Sequence, residues 1–180
     1  KMKFYLSDSW PFSHMFKRLG IEPESEDYFT EELLNEEGRK HRENTITFIK
    51  AVREKSVKDV YVLPTSDAMV LAAKMFLQGK LPQVEGLHTV IGKKKRSLWS
   101  DRVGHLGPGF DLLEGYVFYA AIYGKSPELI KNRIRYKNPE YPGEELDQAF
   151  RKIAWQAVTG HPLSGVVDED KDGIADKQSE

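Results

Sequence analysis

The stretch Ser97-Leu-Trp-Ser-Asp101-Arg-Val-Gly-His105-Leu-Gly-Pro108 sets an acid and a histidine in one short, glycine-containing loop. A carboxylate beside an imidazole can fix its tautomer and stabilise the imidazolium, which a general base acting on a hydroxyl needs. The apolar, helix-like run Phe110–Tyr123 directly behind can hold the loop still. A general base needs a nucleophile, and none is obvious here. The structural alternative is a turn that Asp101 begins towards Gly104, with His105 capping it.

The second group with chemistry in its spacing is Asp168-Glu-Asp170-Lys-Asp172-Gly173-Ile174-Ala-Asp176. Alternating carboxylates place hard oxygen ligands around one point, and Gly173 permits the sharp turn that wraps them. The candidate ligands for Ca²⁺ are the carboxylates of Asp168, Asp170, Asp172 and Asp176, with the backbone carbonyl of Ile174. The start matches a helix–loop–helix calcium loop, but the twelfth position is Ser179, so the closing bidentate glutamate is missing. An affinity on the order of 10⁻⁴ to 10⁻³ M is expected. The alternative is a solvated acidic tail.

These groups need a scaffold, and 180 residues suffice for one compact domain with a core. Hydrophobic residues make up 39% and charged residues 31%, with a formal net charge of −1. That balance favours neither nucleic acid nor an anionic membrane, and no apolar run is long enough to span a bilayer. With no cysteine, disulfides, thiolate catalysis and cysteine-bound zinc are excluded. His14, His41, His88 and His161 are scattered without ligand spacing. Lys93-Lys-Lys-Arg96 reads as a solvated basic loop. Trp10, Trp99 and the tyrosines around Tyr116 could line a sugar cleft, but read first as packing residues.

Met2–Leu6 and Val57–Leu63 have the pattern of buried strands. A helix is expected from about Thr30 to Lys55, with a possible break near Gly38, and another after Pro64, capped by Thr65 or Ser66. Further helices are expected over Leu112–Tyr123 and around Leu146–Ala157. Phe12–Leu19 reads as one or two helical turns, and Leu81–Leu98 as irregular. Strand–helix–strand–helix order implies an α/β layer with parallel strands. Two strands are few for a sheet, so part of it is expected outside the chain. The start Lys1-Met2-Lys3, directly on a strand-like run, reads as a processed, truncated or fragmentary N-terminus.

Leu98-Trp-Ser-Asp101 to His105-Leu-Gly-Pro108, followed by Tyr116-Val-Phe-Tyr-Ala-Ala-Ile-Tyr-Gly124-Lys-Ser-Pro127, resembles the last motif of SGNH (GDSL-type) hydrolases. Tyr5-Leu-Ser-Asp-Ser-Trp10-Pro11 and Val60-Tyr-Val-Leu-Pro64 resemble two strands of the same family's C-terminal half. The resemblance covers about Met2 to Val158. It implies a partial flavodoxin-like parallel sheet with flanking helices, the family's N-terminal half being absent from the stretch that resembles it. Residues 1–160 would form the hydrolase-like portion and 161–180 an acidic tail similar to a thrombospondin type 3 calcium repeat. The implied activity is hydrolysis of acyl or acetyl esters, often on carbohydrates, by a serine esterase to which His105 contributes the base and Asp101 its orienting acid. The implied setting is an exported protein.

Two departures stand out. The family spaces its acid and base as Asp-x-x-His, whereas three residues separate Asp101 from His105. Its Gly-Asp-Ser nucleophile block has no clear match; Ser7-Asp8-Ser9 follows a strand as that block does, but lies too close to His105 in sequence. A non-catalytic module of an exported multidomain protein, or a simple α/β calcium-binding or interaction domain, remain as alternatives.

Overall fold

The computed structural model describes residues 2–8, 25–55, 59–101, 104–132 and 140–176. Strand β1 (Phe4–Ser7) leads into a long helix α1 (Glu31–Lys55), strand β2 (Val60–Leu63) and helix α2 (Thr65–Leu77). Strand β3 (Gly86–His88), the short helix α3 (Thr89–Gly92) and strand β4 (Ser97–Trp99) follow. Helices α4 (Phe110–Tyr123) and α5 (Glu144–Gly160) complete the element order.

β1 and β2 pair in parallel, from Phe4 opposite Val60 to Ser7 opposite Leu63. The expected strand–helix–strand unit is therefore present, and the chain is α/β. β1 is only half-buried, however, with Phe4 exposed, because β2 is its only strand partner among the described residues. The expectation of an irregular 81–98 segment is corrected: β3 and β4 form a second parallel pair, Gly86 opposite Ser97 and His88 opposite Trp99. Strands of three residues carry no readable alternation. The flavodoxin-like arrangement itself is not evident from two separate two-stranded sheets.

α1 begins after Thr30, whose hydroxyl accepts the Leu33 amide at 3.2 Å, and carries Glu31 and Glu32 in its first turn. Arg53 and Lys55 close it, so both ends complement the helix dipole. Gly38 does not break the helix. It lies against α2, where a Cβ would stand 3.1 Å from Val70 Cγ2. Thr65 and Ser66 lie inside α2, and Pro64 precedes it without a side-chain cap. α4 stops at Gly124, in the left-handed region, as a C-terminal glycine should.

The main core joins α2, α4, α5, β3 and β4 around Met69, Leu98, Trp99, Phe110, Tyr116 and Phe150. Trp99 is fully buried, a packing residue and not a cleft wall. A smaller cluster of Ile49, Val60 and Val62 lies between α1 and β2. Across the α4–α5 contact, Asp147 accepts the Tyr116 hydroxyl at 2.6 Å and Arg151 Nε at 2.8 Å. Among the described residues no helix is long and apolar enough to cross a membrane. Trp10, His14 and the expected turns over Phe12–Leu19 lie outside the described residues.

Candidate functional site

β4 ends at Trp99, and the chain turns back at once. Trp99 and Leu106 form an antiparallel bridge, the Ser100 amide donates to the His105 carbonyl at 2.8 Å, and the Gly107 amide donates to the Leu98 carbonyl at 2.7 Å. The loop is thus pinned to a buried strand on one side and to α4 on the other. Gly107 is there for space: a Cβ would stand 1.7 Å from the Ser97 carbonyl oxygen.

Inside this loop Asp101 has two tasks. Its Oδ1 accepts the amides of Gly104 and His105, at 3.0 and 3.1 Å. Its Oδ2 accepts Nδ1 of the His105 ring at 2.5 Å. A carboxylate offers no proton, so Nδ1 carries the hydrogen and Nε2 of the neutral ring carries the lone pair. The three-residue spacing therefore still brings acid and base together, with one oxygen shaping the turn and the other setting the tautomer. The His105 side chain is 72% exposed. Among the described residues no side-chain hydroxyl is hydrogen-bonded to its ring. Ser9 lies outside the described residues.

Leu106, Thr65 and Glu114 border a gap too small for a water molecule. Burial raises the Glu114 carboxyl above its ordinary pKa, and the neighbouring Asp111 adds to the effect. Thr65 also donates its hydroxyl to the Asp8 carbonyl. Asp8 itself is buried, accepting His41 Nε2 at 2.5 Å and the Thr45 hydroxyl at 3.1 Å. This second carboxylate–imidazole pair sits at the C-terminal end of β1, where α/β folds place ligands. Sequence reading missed it, because 33 residues separate its members. The only local signal was a polar Ser7-Asp8-Ser9 turn ending a strand.

Residues 161–176 are not a free appendage. Leu163 accepts the Val62 amide at 2.9 Å, Gly173 accepts the Ser126 amide at 2.7 Å, and Asp176 donates its amide to Val167 at 2.8 Å. Ile174 bridges antiparallel to Lys125, through hydrogen bonds made by the residues flanking each of them. In such a pair the amide and carbonyl of Ile174 point away from Lys125. The Ile174 amide indeed meets Asp172 Oδ1 at 2.7 Å.

Ligand oxygens of Asp168, Asp170 and Asp172 lie within 4.8 Å of one another. Trp155 Nε1 holds Asp168 Oδ2 at 3.0 Å, while Asp168 Oδ1 is buried with no hydrogen-bond partner. These features fit a hard cation. Asp176 stands differently: its Oδ2 accepts the Glu169 amide at 2.6 Å, closing the loop, and it is not one of the clustered three.

No protein-family model, curated protein or solved structure matches the chain.

Proposed function

We propose that Asp101 and His105 are the acid–base half of a Ser-His-Asp-type site that hydrolyses acyl or acetyl esters, in the manner of the SGNH hydrolases the sequence resembles. The observation that carries this is Asp101 Oδ2 at 2.5 Å from His105 Nδ1 on a solvent-open ring. Nε2 is then the atom that takes the nucleophile's proton on attack and returns it to the leaving alcohol. Asp101 stays ionised and stabilises the imidazolium between those steps. The nucleophilic hydroxyl belongs outside the described residues.

The test is ester turnover, on 4-nitrophenyl acetate and on acetylated oligosaccharides, by the product of the complete gene and by its His105→Ala variant. A loss of about 10⁶-fold is expected, as triads act as a unit. Near-normal turnover in the variant removes His105 from the reaction. The 180-residue chain is expected to be a weak esterase alone. Robust turnover by it that is lost in Ser9→Ala would instead assign the hydroxyl to Ser9.

A second reading rests on a different observation, the clustered carboxylates with the unpartnered Asp168 Oδ1. The 168–176 loop is a weak Ca²⁺ site using Asp168, Asp170, Asp172 and the Ile174 carbonyl, with Asp176 as the residue that closes the loop. Five carboxylates face one lysine within these nine residues, and a divalent ion relieves that repulsion. Millimolar Ca²⁺, more than Mg²⁺, is expected to shift the 168–176 amide resonances, and Asp170→Ala to abolish the shift. Unmoved resonances make the loop a plain acidic one.

A further inference from the structure

A groove of about 420 Å³ opens between α1, α2 and α5. It lies on the side of α2 opposite the His105 loop. α2 turns Thr65, Ala68 and Met69 towards Leu106, and Asp67, Val70, Leu71 and Lys74 to the groove. Its volume is in the range of small-molecule sites, roughly 300–1,000 Å³.

The two ends of the groove differ. At one, Arg42 of α1 holds the buried Asp67: Nε lies 3.2 and 3.0 Å from the two carboxylate oxygens, and a terminal nitrogen 2.5 Å from one of them. The pair is fixed in place and offers both donors and acceptors. Gln156 of α5 also lines the groove. The floor is aliphatic, from Gly38, Val70, Leu71 and Ala157.

Lys74 lies two helical turns from Asp67, about 10 Å along α2. Since Arg42 faces Asp67 and Gly38 faces Val70, α1 and α2 run antiparallel there. Asn35 of α1 therefore shares the Lys74 end, while Arg39 stands level with Val70 and turns its guanidinium to Glu43. Arg39 keeps only an exposed i,i+4 pair with Glu43, which holds it weakly. Lys74 is half-buried and has no carboxylate partner among the described residues. Three cationic side chains and a single carboxylate, already neutralised by Arg42, thus line the groove.

We propose that this groove binds a small hydroxylated carboxylate of the size and polarity of an acidic monosaccharide. The carboxylate sits at Lys74 and Asn35, the carbon body covers Val70 and Leu71, and the hydroxyls meet Gln156 and the Arg42–Asp67 pair. A neutral sugar leaves Lys74 uncompensated. Acetate fills only one end. The site does not depend on the ester-hydrolysis reading, and either can fail without the other.

The test is a titration of amide resonances at constant ionic strength with D-glucuronate, D-glucose and acetate. The parent chain is compared with Lys74→Gln, and with Lys152→Gln as a control on the exposed face of α5. D-Glucuronate is expected to shift amides of residues 35–42, 67–74 and 156–157 saturably, with a dissociation constant on the order of 1 mM for a ligand of this size. Glucose and acetate should each bind at least about ten-fold more weakly, and Lys74→Gln should lose about ten-fold while Lys152→Gln does not. Unmoved amides at ten times that concentration, glucose binding as tightly as glucuronate, or unchanged binding in Lys74→Gln overturns the assignment.

Discussion

His161 ties protonation to the anchoring of the acidic loop. Its side chain is buried at the end of α5, and its Nδ1 accepts the Leu163 amide at 3.1 Å. The proton of the neutral ring is therefore on Nε2, which is buried without a partner. Protonation places a second hydrogen on Nδ1 and breaks the bond to Leu163. The turn affected is the one that docks on β2 through the Val62 amide and the Leu163 carbonyl. Burial lowers the His161 pKa first; Arg42 lowers it further, while Asp67 and Asp8 act in the opposite sense.

The sign follows from linkage. A histidine whose folded pKa is depressed contributes stability at pH values above its unfolded pKa of about 6.5. That contribution is lost as pH falls from about 6.5 towards the folded value, with a slope of at most one proton, ~1.4 kcal/mol per pH unit. His161→Asn keeps an acceptor for the Leu163 amide in its Oδ1 but does not titrate. Urea unfolding of the chain and the variant, followed by tryptophan fluorescence at pH 7.5, 6.5 and 5.5, isolates the effect from the other four histidines. The stability gap between them should shrink on acidification. Parallel pH profiles, or a His161 ring that titrates at or above the free-histidine value, would refute the reasoning.

Asp101→Asn keeps an Oδ1 for the Gly104 and His105 amides, so unfolding free energy should change by less than about 0.5 kcal/mol. Ester turnover in the complete gene product should nonetheless fall by about 10³- to 10⁴-fold, as in triads whose acid is made neutral. Gly107→Ala drives a methyl into the Ser97 carbonyl, a backbone clash that no rotamer relieves. It should cost at least ~3 kcal/mol in thermal unfolding, beyond ordinary overpacking. Arg151→Met strands the buried Asp147 and frees the carbonyls of Pro127 and Ile130. A loss of about 3–5 kcal/mol in urea unfolding is expected, with partial recovery when Asp147→Leu is added.

What the sequence made legible depended on length and on sequence separation. Val60–Leu63 and α2 were readable because an apolar run and a long helical face repeat over enough residues to show a period. β3 and β4 were not, since Gly86-Leu-His and Ser97-Leu-Trp are shorter than two periods of a strand and gain their pairing only from each other. The Asp101–His105 pair was visible because both members lie in one loop. Arg42–Asp67 and Asp8–His41 were hidden, because α1 and the β1–β2 pairing must form before those partners meet. The docking of residues 161–176 was hidden for the same reason: Val62 and the Gly124–Ser126 segment are bonded to residues 47 or more positions away.

The two carboxylate–imidazole pairs call for different explanations. Asp8 is buried, and leaving a buried carboxylate unpaired is strongly destabilising. His41 and Thr45 therefore have a structural reason to converge on its Oδ1, while Oδ2 is buried without a hydrogen-bond partner. Asp101 and His105 lie in solvent, where an ion pair contributes little to stability. The turn itself needs only Oδ1 of Asp101, and an asparagine or serine would serve it. Stability thus gives less reason for the Asp101–His105 pair than for Asp8–His41, and the proton transfer proposed for His105 Nε2 is what the turnover of His105→Ala tests.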